Sequence, residues 1–173
     1  MKRVIAIDGP AGAGKSTVAK IVAERLGYVY IDTGAMYRAV AWRTLQQDPE
    51  ATDAAILRAV HDIDVRLACT ENGTRVAVNG TDVTAEIRTP EVTHIVSRVA
   101  ALGPVREKMV ELQRAMAVSG SVVMDGRDIG TNVLPDADVK IFLTASVNER
   151  ARRRYDEMKE RGYPVDFEEL KRE

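Results

Sequence analysis

The chain has 173 residues, 45% hydrophobic and 29% charged, the composition of an ordinary soluble globular protein, and we expect residues 1–173 to form a single domain. The net charge of −1 excludes a general attraction to nucleic acid or to an anionic membrane, so a polyanionic ligand must be held by local Arg and Lys side chains. The single Cys69, with no signal peptide and no apolar run long enough to span a membrane, predicts a cytoplasmic protein without an internal disulfide.

The N-terminal third predicts alternating strands and helices. Val4–Ile7 is an apolar run typical of a strand buried on both faces of a parallel sheet, and a glycine-rich loop and a helix follow it. Residues 28–31 predict a second strand. Asp32 opens a second helix, and a third is capped by Thr52 or Asp53. This alternation is typical of an α/β fold.

Residues 63–84 predict a small antiparallel β-meander inserted into the α/β chain. Apolar and polar residues alternate from Ile63 to Thr70, which is typical of a half-exposed strand. The pairs Asn72-Gly73 and Asn79-Gly80 predict the two turns. Because inserts and loops often carry specificity, we expect this one to serve substrate recognition; the alternative is a decoration of the fold.

The second half of the chain returns to α/β alternation. Thr89 and Pro104 mark the starts of two helices. Residues 121–125 and 139–143 predict two more buried strands of a doubly wound parallel sheet. A capping box at Ser146–Glu149 opens an arginine-rich helix. Since a doubly wound fold closes with a further strand and helix, we expect the C-terminal strand and helix to be missing from this chain.

The segment Gly9–Ser16 fits the phosphate-loop pattern G-x-x-x-x-G-K-[ST], and it lies between a predicted strand and a predicted helix. Glycines let the loop curl so that its N–H groups point at phosphate oxygens, and the following helix adds its positive dipole end. We expect Lys15 to reach the β- and γ-phosphates and the Ser16 hydroxyl to ligate Mg²⁺. The predicted nucleotide-binding residues are Gly9, Pro10, Ala11, Gly12, Ala13, Gly14, Lys15, Ser16 and Thr17.

A phosphate loop predicts nucleotide binding without specifying a reaction. The chain has no Asn-Lys-x-Asp tetrapeptide, which disfavours a GTPase switch, and it is short for an ATP-driven motor. Kinases of small molecules remain, in which an acceptor enters beside the γ-phosphate.

Two further motifs follow predicted strands, where open α/β sheets bind ligands. They are Asp32–Arg38 (DTGAMYR) and Asp125–Thr131 (DGRDIGT). With these, the chain resembles bacterial cytidylate kinases, members of the nucleoside monophosphate kinase group, over essentially its whole length. The meander at 63–84 resembles the monophosphate-side insert of that family. The other segments that carry the resemblance are Ile7–Pro10, Glu86–Thr89, Val105–Glu107 and Asp136–Leu143.

The resemblance implies transfer of the γ-phosphoryl group of ATP to CMP or dCMP, with Mg²⁺. It places Thr33, Ser97, Arg106 and Asp128 around the cytosine, and Arg38 and Arg127 at the monophosphate. These roles are chemically reasonable, since Asp128 can accept from the cytosine amine and arginine forks match phosphate oxygens. For Tyr37, packing against the sugar or base and packing into the core remain alternatives.

Asp125 ends a predicted buried strand and is grouped with the substrate-binding residues as a partner for Mg²⁺-bound water. The alternative for Asp125 is an ordinary residue of a strand-end turn. Asp8 is expected to shape the phosphate loop and the acceptor side rather than to act as a base. No dedicated base is needed, because the acceptor is already an anionic phosphate oxygen.

Residues 147–166 are predicted to form a helical lid. Arg150, Arg153 and Arg154 lie on one helix face, and the resemblance implies that lid arginines close on the phosphates. A solvated charged face is the alternative. Arg153 is the weaker candidate of the three. The predicted catalytic residues are Lys15, Arg127, Arg150 and Arg154.

The prediction is thus a monomeric (d)CMP kinase whose partners are ATP and CMP or dCMP, with no nucleic-acid or membrane partner. Two alternatives remain open: a kinase of another small acceptor, such as AMP, UMP or shikimate, and an ATP-binding regulatory module.

Overall fold

The computed structural model describes residues 2–71 and 73–172, which fold into an α/β structure. The strands of these residues are β1 (Val4–Asp8), β2 (Val29–Asp32), β3 (Val65–Thr70), β4 (Gly73–Val78), β5 (Thr81–Asp82), β6 (Val122–Gly126) and β7 (Val139–Phe142). The α-helices are α1 (Lys15–Leu26), α2 (Thr33–Gln47), α3 (Asp53–His61), α4 (Pro90–Ala101), α5 (Gly103–Val118), α6 (Val147–Glu160) and α7 (Phe167–Arg172). A 3₁₀ turn spans Glu86–Arg88 and a π-helical turn spans Ile129–Val133.

The predicted parallel sheet is confirmed, with the strand order β2-β6-β1-β7. Every pair in it is parallel, and the central strands β1 and β6 are buried along most of their length, as continuous apolar runs require. In this register Asp32 pairs with Asp125, and Asp8 pairs with Gly126. Strands β1 and β2 therefore end in an acidic residue, and β6 carries Asp125 one residue before its end, at the same edge of the sheet.

Two hydrophobic clusters lie on the two faces of this sheet. On one side α2, α4 and α5 pack around Met36, Val99 and Met109. On the other side Ala19 and Ala23 of α1 pack against Ile7 and other residues of the central strands. Helices on both faces are the layering that the alternating sequence predicts.

The predicted β-meander is confirmed as the antiparallel sheet β3-β4-β5. Its second turn is built from Asn79 and Gly80, whose φ angles of 48° and 82° place both in the left-handed region favoured at two-residue hairpin turns. Asn72, predicted to start the first turn, lies outside the described residues.

The strand at residues 139–142 forms as predicted, but the expectation that it is buried is wrong. It is an edge strand, and Val139, Ile141 and Phe142 are 45%, 40% and 72% exposed. Within the described residues only β1 pairs with it, so one edge and part of its apolar surface meet solvent.

Four helices begin where predicted, each with a side chain that accepts a hydrogen bond at the N-cap: Asp32, Thr52, Thr89 and Ser146. Among the described residues, no helix is both long and apolar enough to cross a membrane.

Candidate active site

The predicted phosphate loop joins the end of β1 to the start of α1. Gly9, Gly12 and Gly14 adopt φ angles of 151°, 72° and 91°, which side-chain-bearing residues rarely adopt. A Cβ on Gly9 would also lie 2.0 Å from the Leu143 carbonyl oxygen, so only glycine fits there. Because Gly14 is the N-cap of α1, the first N–H groups of that helix receive no side-chain cap from it and remain available to an anion.

Lys15 and Ser16 begin α1 and turn toward the loop and the sheet edge. The Lys15 Nζ donates to the Pro10 carbonyl at 2.8 Å. Burial lowers the pKa of Lys15, although the charge of Asp125 opposes the shift. The Ser16 hydroxyl donates to Asp125 Oδ2 at 3.2 Å, which joins the loop to the end of β6.

Asp125 is buried beneath this loop, with a side chain that reaches two hydroxyl groups. The Tyr30 hydroxyl donates to its Oδ1 at 2.9 Å, while Ser16 donates to its Oδ2. Burial, reinforced by the nearby charge of Asp32, raises the pKa of Asp125 to about 7. Ionisation of Asp125 is therefore disfavoured in the free protein, and a positive charge bound nearby would favour it.

Arg106 and Asp128, both predicted to lie around the cytosine, form an ion pair. Asp128 also accepts a hydrogen bond of 3.2 Å from the Asn132 amide. Tyr37 is partly buried against the larger hydrophobic cluster, and its pKa is raised by burial and influenced by Arg106 and Asp128. Its ring thus packs into the core beside the proposed base readers. Thr33 is buried and donates to the Asp125 carbonyl at 2.6 Å.

Arg38 lies in the second turn of α2 in a group of positive charges. Its Nη1 donates to the Ile87 carbonyl at 3.2 Å and to the Thr93 hydroxyl at 2.8 Å. Burial and the nearby charges of Arg88 and Arg154 lower the pKa of Arg38 to about 10. Such a concentration of positive charge favours an anionic ligand.

A cavity of about 1150 Å³ is lined by the phosphate loop, α4 and α6. Its lining includes seven predicted site residues, which are Pro10, Ala11 and Gly12 of the phosphate loop together with Ser97, Arg127, Arg150 and Arg154. Helix α6 also touches the loop directly, because Arg153 Nη1 donates to the Gly12 carbonyl at 3.2 Å. A Cβ on Gly12 would lie 3.1 Å from the Cβ of Arg150, so the helix passes close to the loop.

Comparison with known proteins identifies the family. The model of the cytidylate kinase family matches residues 5–173. The chain belongs to the cytidylate kinase family. Curated relatives named cytidylate kinase include those of Bacillus velezensis (58% identical), Geobacillus thermodenitrificans (60%) and Bacillus subtilis (56%). Each match spans 170 residues, 98% of this chain and 76% of the relative. The chain is accordingly a nucleoside monophosphate kinase, a transferase.

A solved structure, the crystal structure of TT1252 from Thermus thermophilus, is also similar, at 20% identity over 98% of this chain and 76% of that chain. Its TM-score of 0.42 is too low to add to the family result.

The site residues predicted from the phosphate-loop pattern and from the cytidylate kinase resemblance fall into two groups in the structure. The first lies at the phosphate loop and the sheet edge below it: Gly9, Pro10, Ala11, Gly12, Ala13, Gly14, Lys15, Ser16, Thr17, Thr33 and Asp125. The second comprises the cavity residues Ser97, Arg127, Arg150 and Arg154, with Arg38 beside Arg154, and the Arg106–Asp128 ion pair with Tyr37 next to it.

Two residues of the site, Tyr30 and Arg88, were not selected from the sequence, and a third, Arg153, was ranked below Arg150 and Arg154. Tyr30 holds Asp125, and Arg88 pairs with Asp32 at 3.2 Å next to Arg38. Arg153, the weaker lid candidate, is the lid arginine that hydrogen-bonds the phosphate loop. The position of Arg88 in the Glu86–Thr89 segment of the cytidylate kinase resemblance was the one signal that pointed to it.

Proposed function

We propose that this protein transfers the γ-phosphoryl group of ATP to CMP or dCMP and releases ADP and CDP or dCDP. Membership of the cytidylate kinase family, with relatives 56–60% identical across 98% of the chain, supports phosphorylation of CMP by ATP. At the level of single residues, the proposal depends most on the cavity. The phosphate loop lines one side of it, and Ser97, Arg127 and the lid arginines Arg150 and Arg154 line the others.

Charge neutralisation is the main task of the site. A nucleoside triphosphate and a monophosphate repel each other, so their approach needs fixed positive charges between them. Lys15 on the loop, Arg38 and Arg127 on the acceptor side, and Arg154 on the lid supply these charges. The attacking group is a phosphate oxygen that is already anionic, so no general base is needed. The site has only to hold the two substrates in line.

Magnesium is part of the proposal. Ser16 and Asp125 supply a hydroxyl and a carboxylate oxygen side by side below the phosphate loop, and hard oxygen donors suit Mg²⁺. Within residues 2–71 and 73–172, no cluster of three or more His, Cys, Asp or Glu side chains could hold a metal by itself. Ser16 would hold the ion, with Asp125 as its neighbour, and the bound ion would neutralise phosphate charge.

Recognition of cytosine is assigned to the ion pair of Arg106 and Asp128. Asp128 accepts from the exocyclic amine, while Arg106 and Ser97 donate to the acceptor atoms of the base. The two side chains hold each other in the free protein, which keeps both in place on the acceptor side. Thr33 and Tyr37 complete this side below the base.

We propose that residues 1–173 form a single kinase domain in which the antiparallel insert at 63–84 lies on the monophosphate side and residues 147–166 form the lid. The insert leads directly into the 3₁₀ turn at Glu86–Arg88, whose Ile87 carbonyl holds the Arg38 guanidinium. The lid helix carries Arg153 onto the phosphate loop. We further propose that the protein acts in the cytoplasm as a monomer.

An acceptor panel tests the proposed function. The full-length protein is incubated with ATP, Mg²⁺ and, in separate reactions, CMP, dCMP, UMP, AMP or shikimate, and ADP formation is followed. We expect ADP formation that depends on CMP or dCMP. Turnover with another acceptor alone would overturn the assignment of the substrate. Nucleotide binding without acceptor dependence would instead support a regulatory module, an alternative that the family match does not favour.

A further inference from the structure

Asp8 is a buried carboxylate that touches none of the proposed substrate groups. It ends β1 directly before the phosphate loop and is 8% exposed. Its Oδ1 accepts the N–H of Ile129 at 2.8 Å, and its Oδ2 accepts the N–H of Gly130 at 2.8 Å. Hydrogen bonds to an ionised carboxylate are about twice as strong as neutral ones, so this is a strong link between the end of β1 and residues 129–130.

The partners of Asp8 belong to the π-helical turn that directly follows Arg127 and Asp128. Asp128 is the N-cap of this turn, yet its side chain makes no capping bond to it. Asp8 satisfies two of the first N–H groups instead, from a neighbouring strand. The turn is therefore fixed in space by β1 rather than by its own sequence.

Helix α5 holds the opposite end of the same turn. Arg114 Nε donates to the Val133 carbonyl at 2.9 Å, and its Nη2 donates to the Asn132 carbonyl at 2.8 Å. A carboxylate at the N-terminal end and a guanidinium at the C-terminal end both match the polarity of a helical turn. Arg106, also on α5, pairs with Asp128 just before the turn. Asp8 is thus the anchor that ties this acceptor-side unit to the phosphate loop.

The main chain gives Asp8 little freedom to move away from the phosphate loop. Its carbonyl oxygen accepts the N–H of Leu143 at 2.7 Å, and the next residue, Gly9, packs against the carbonyl of the same Leu143. Its carboxylate consequently fixes Ile129 and Gly130 relative to the loop, and it also fixes Asp128, which directly precedes Ile129.

We propose that Asp8 is a positioning residue that sets the register between the phosphate loop and the cytosine-reading Asp128. The proposal rests on the proposed function, because it concerns the alignment of two substrates. Loss of the carboxylate moves the acceptor-side turn while the loop and α1 keep their own glycine geometry. CMP recognition and transfer are then impaired, and binding of ATP alone is preserved.

Asp8→Asn tests the proposal, because its NH₂ group cannot accept a backbone N–H. We expect the KM for CMP to rise about tenfold or more and kcat to fall, with the Kd for ATP within about twofold of the wild type. The preference for CMP over UMP falls as well, because Asp128 is displaced. Asp138→Asn is the matched control: Asp138 Oδ2 accepts the Val4 N–H at 2.7 Å at the other end of β1, and its loss leaves both substrates unaffected.

The outcomes separate this inference from the proposed function. A wild type that forms no ADP with CMP overturns both. An active wild type with unchanged CMP kinetics in Asp8→Asn overturns only the positioning role. Equal losses of ATP and CMP binding, with a lower Tm, also overturn it, because they indicate general destabilisation.

A second variant changes Gly130, whose N–H donates to Asp8, and leaves Asp8 itself in place. It tests the same contact if Asp8→Asn fails to fold. A Cβ on Gly130 would lie 3.1 Å from the Lys140 side chain, so the turn or that side chain must shift, and it would lie 3.4 Å from Asp8 Oδ2, an ordinary contact. We expect Gly130→Ala to raise the KM for CMP severalfold while the Kd for ATP stays constant. Unchanged CMP kinetics in Gly130→Ala would contradict the proposal.

Discussion

The Tyr30 hydroxyl donates a hydrogen bond of 2.9 Å to Asp125 across two adjacent parallel strands. This bond is buried and aims the carboxylate toward Ser16, whose hydroxyl donates to the other oxygen at 3.2 Å. The phenol also favours the ionised carboxylate, which burial and Asp32 disfavour. Tyr30 therefore orients the acid that the proposed Mg²⁺ site uses.

Replacing Tyr30 with Phe is expected to lower kcat about tenfold and to raise the Mg²⁺ concentration needed for half-maximal rate, because one hydrogen bond to a charged group is lost. Steady-state rates across a Mg²⁺ titration measure both effects. Tyr28→Phe is the control, since Tyr28 packs against the same hydrophobic cluster two residues away. An unchanged Mg²⁺ dependence in Tyr30→Phe would show that Asp125 is oriented without it.

The buried carboxyl of Asp125 makes stability depend on pH in the metal-free protein. Its pKa is about 7 in the fold against 3.8 for the ordinary group, so the protonated form stabilises the fold. That stabilisation is complete below the unfolded pKa and is lost as the pH rises through the folded pKa.

Asp125→Asn cannot ionise at this position, so it should escape the stability loss that the wild type undergoes as the pH rises. In EDTA, the stability of Asp125→Asn minus that of the wild type, both measured as the free energy of unfolding, is expected to be about 2 kcal/mol greater near pH 8.5 than near pH 5. Denaturant titrations at the two pH values measure the difference. The amide cannot accept from both Tyr30 and Ser16, which adds a loss at every pH and leaves the pH dependence as the informative quantity. A difference that is independent of pH would contradict the raised pKa.

Removing the base reader is expected to separate the two substrates. Asp128→Ala should raise the KM for CMP about a hundredfold, because it deletes the acceptor for the cytosine amine and leaves Arg106 unpaired. The Kd for ATP should remain within about twofold of the wild type, since the phosphate loop is untouched. Glu107→Ala removes a neighbouring exposed carboxylate on α5 as the control. Equal weakening of CMP and ATP binding would contradict the assignment of Asp128.

The lid arginines are expected to differ from one another. Arg154→Ala should lower kcat about a hundredfold, because Arg154 adds positive charge beside Arg38 at the proposed phosphates. Arg153→Ala should mainly weaken ATP binding, since Arg153 contacts the Gly12 carbonyl. Arg152→Ala removes an exposed charge from the same helix and serves as the control. Comparable small losses in all three variants would indicate a solvated face instead of a lid.

Local signals in the sequence predicted much of the fold. The phosphate loop, the Asn79-Gly80 turn and the caps at Asp32 and Ser146 each depend on a few adjacent residues, and each forms as predicted. The parallel sheet was predictable because buried parallel strands are continuous apolar runs. The exposure of β7 was not, because the identity of a strand's neighbours is a property of the whole fold.

The contacts that organise the site lie far apart in sequence. Tyr30 and Asp125 are separated by 95 residues, and Arg88 and Asp32 by 56. A phenol in a short apolar strand is typical of core packing, and nothing local distinguishes Tyr30 from Tyr28. The motif at residues 125–131 indicated which residues matter, but only the strand register brings Asp8 against the turn that follows Asp128.

The most direct test of the central claim is the identity and stoichiometry of the products. The full-length protein with ATP, Mg²⁺ and CMP is followed by ³¹P NMR. The proposed function predicts equal amounts of ADP and CDP and no inorganic phosphate above the background without enzyme. ADP with an equal amount of inorganic phosphate, and no CDP, would contradict phosphoryl transfer to CMP.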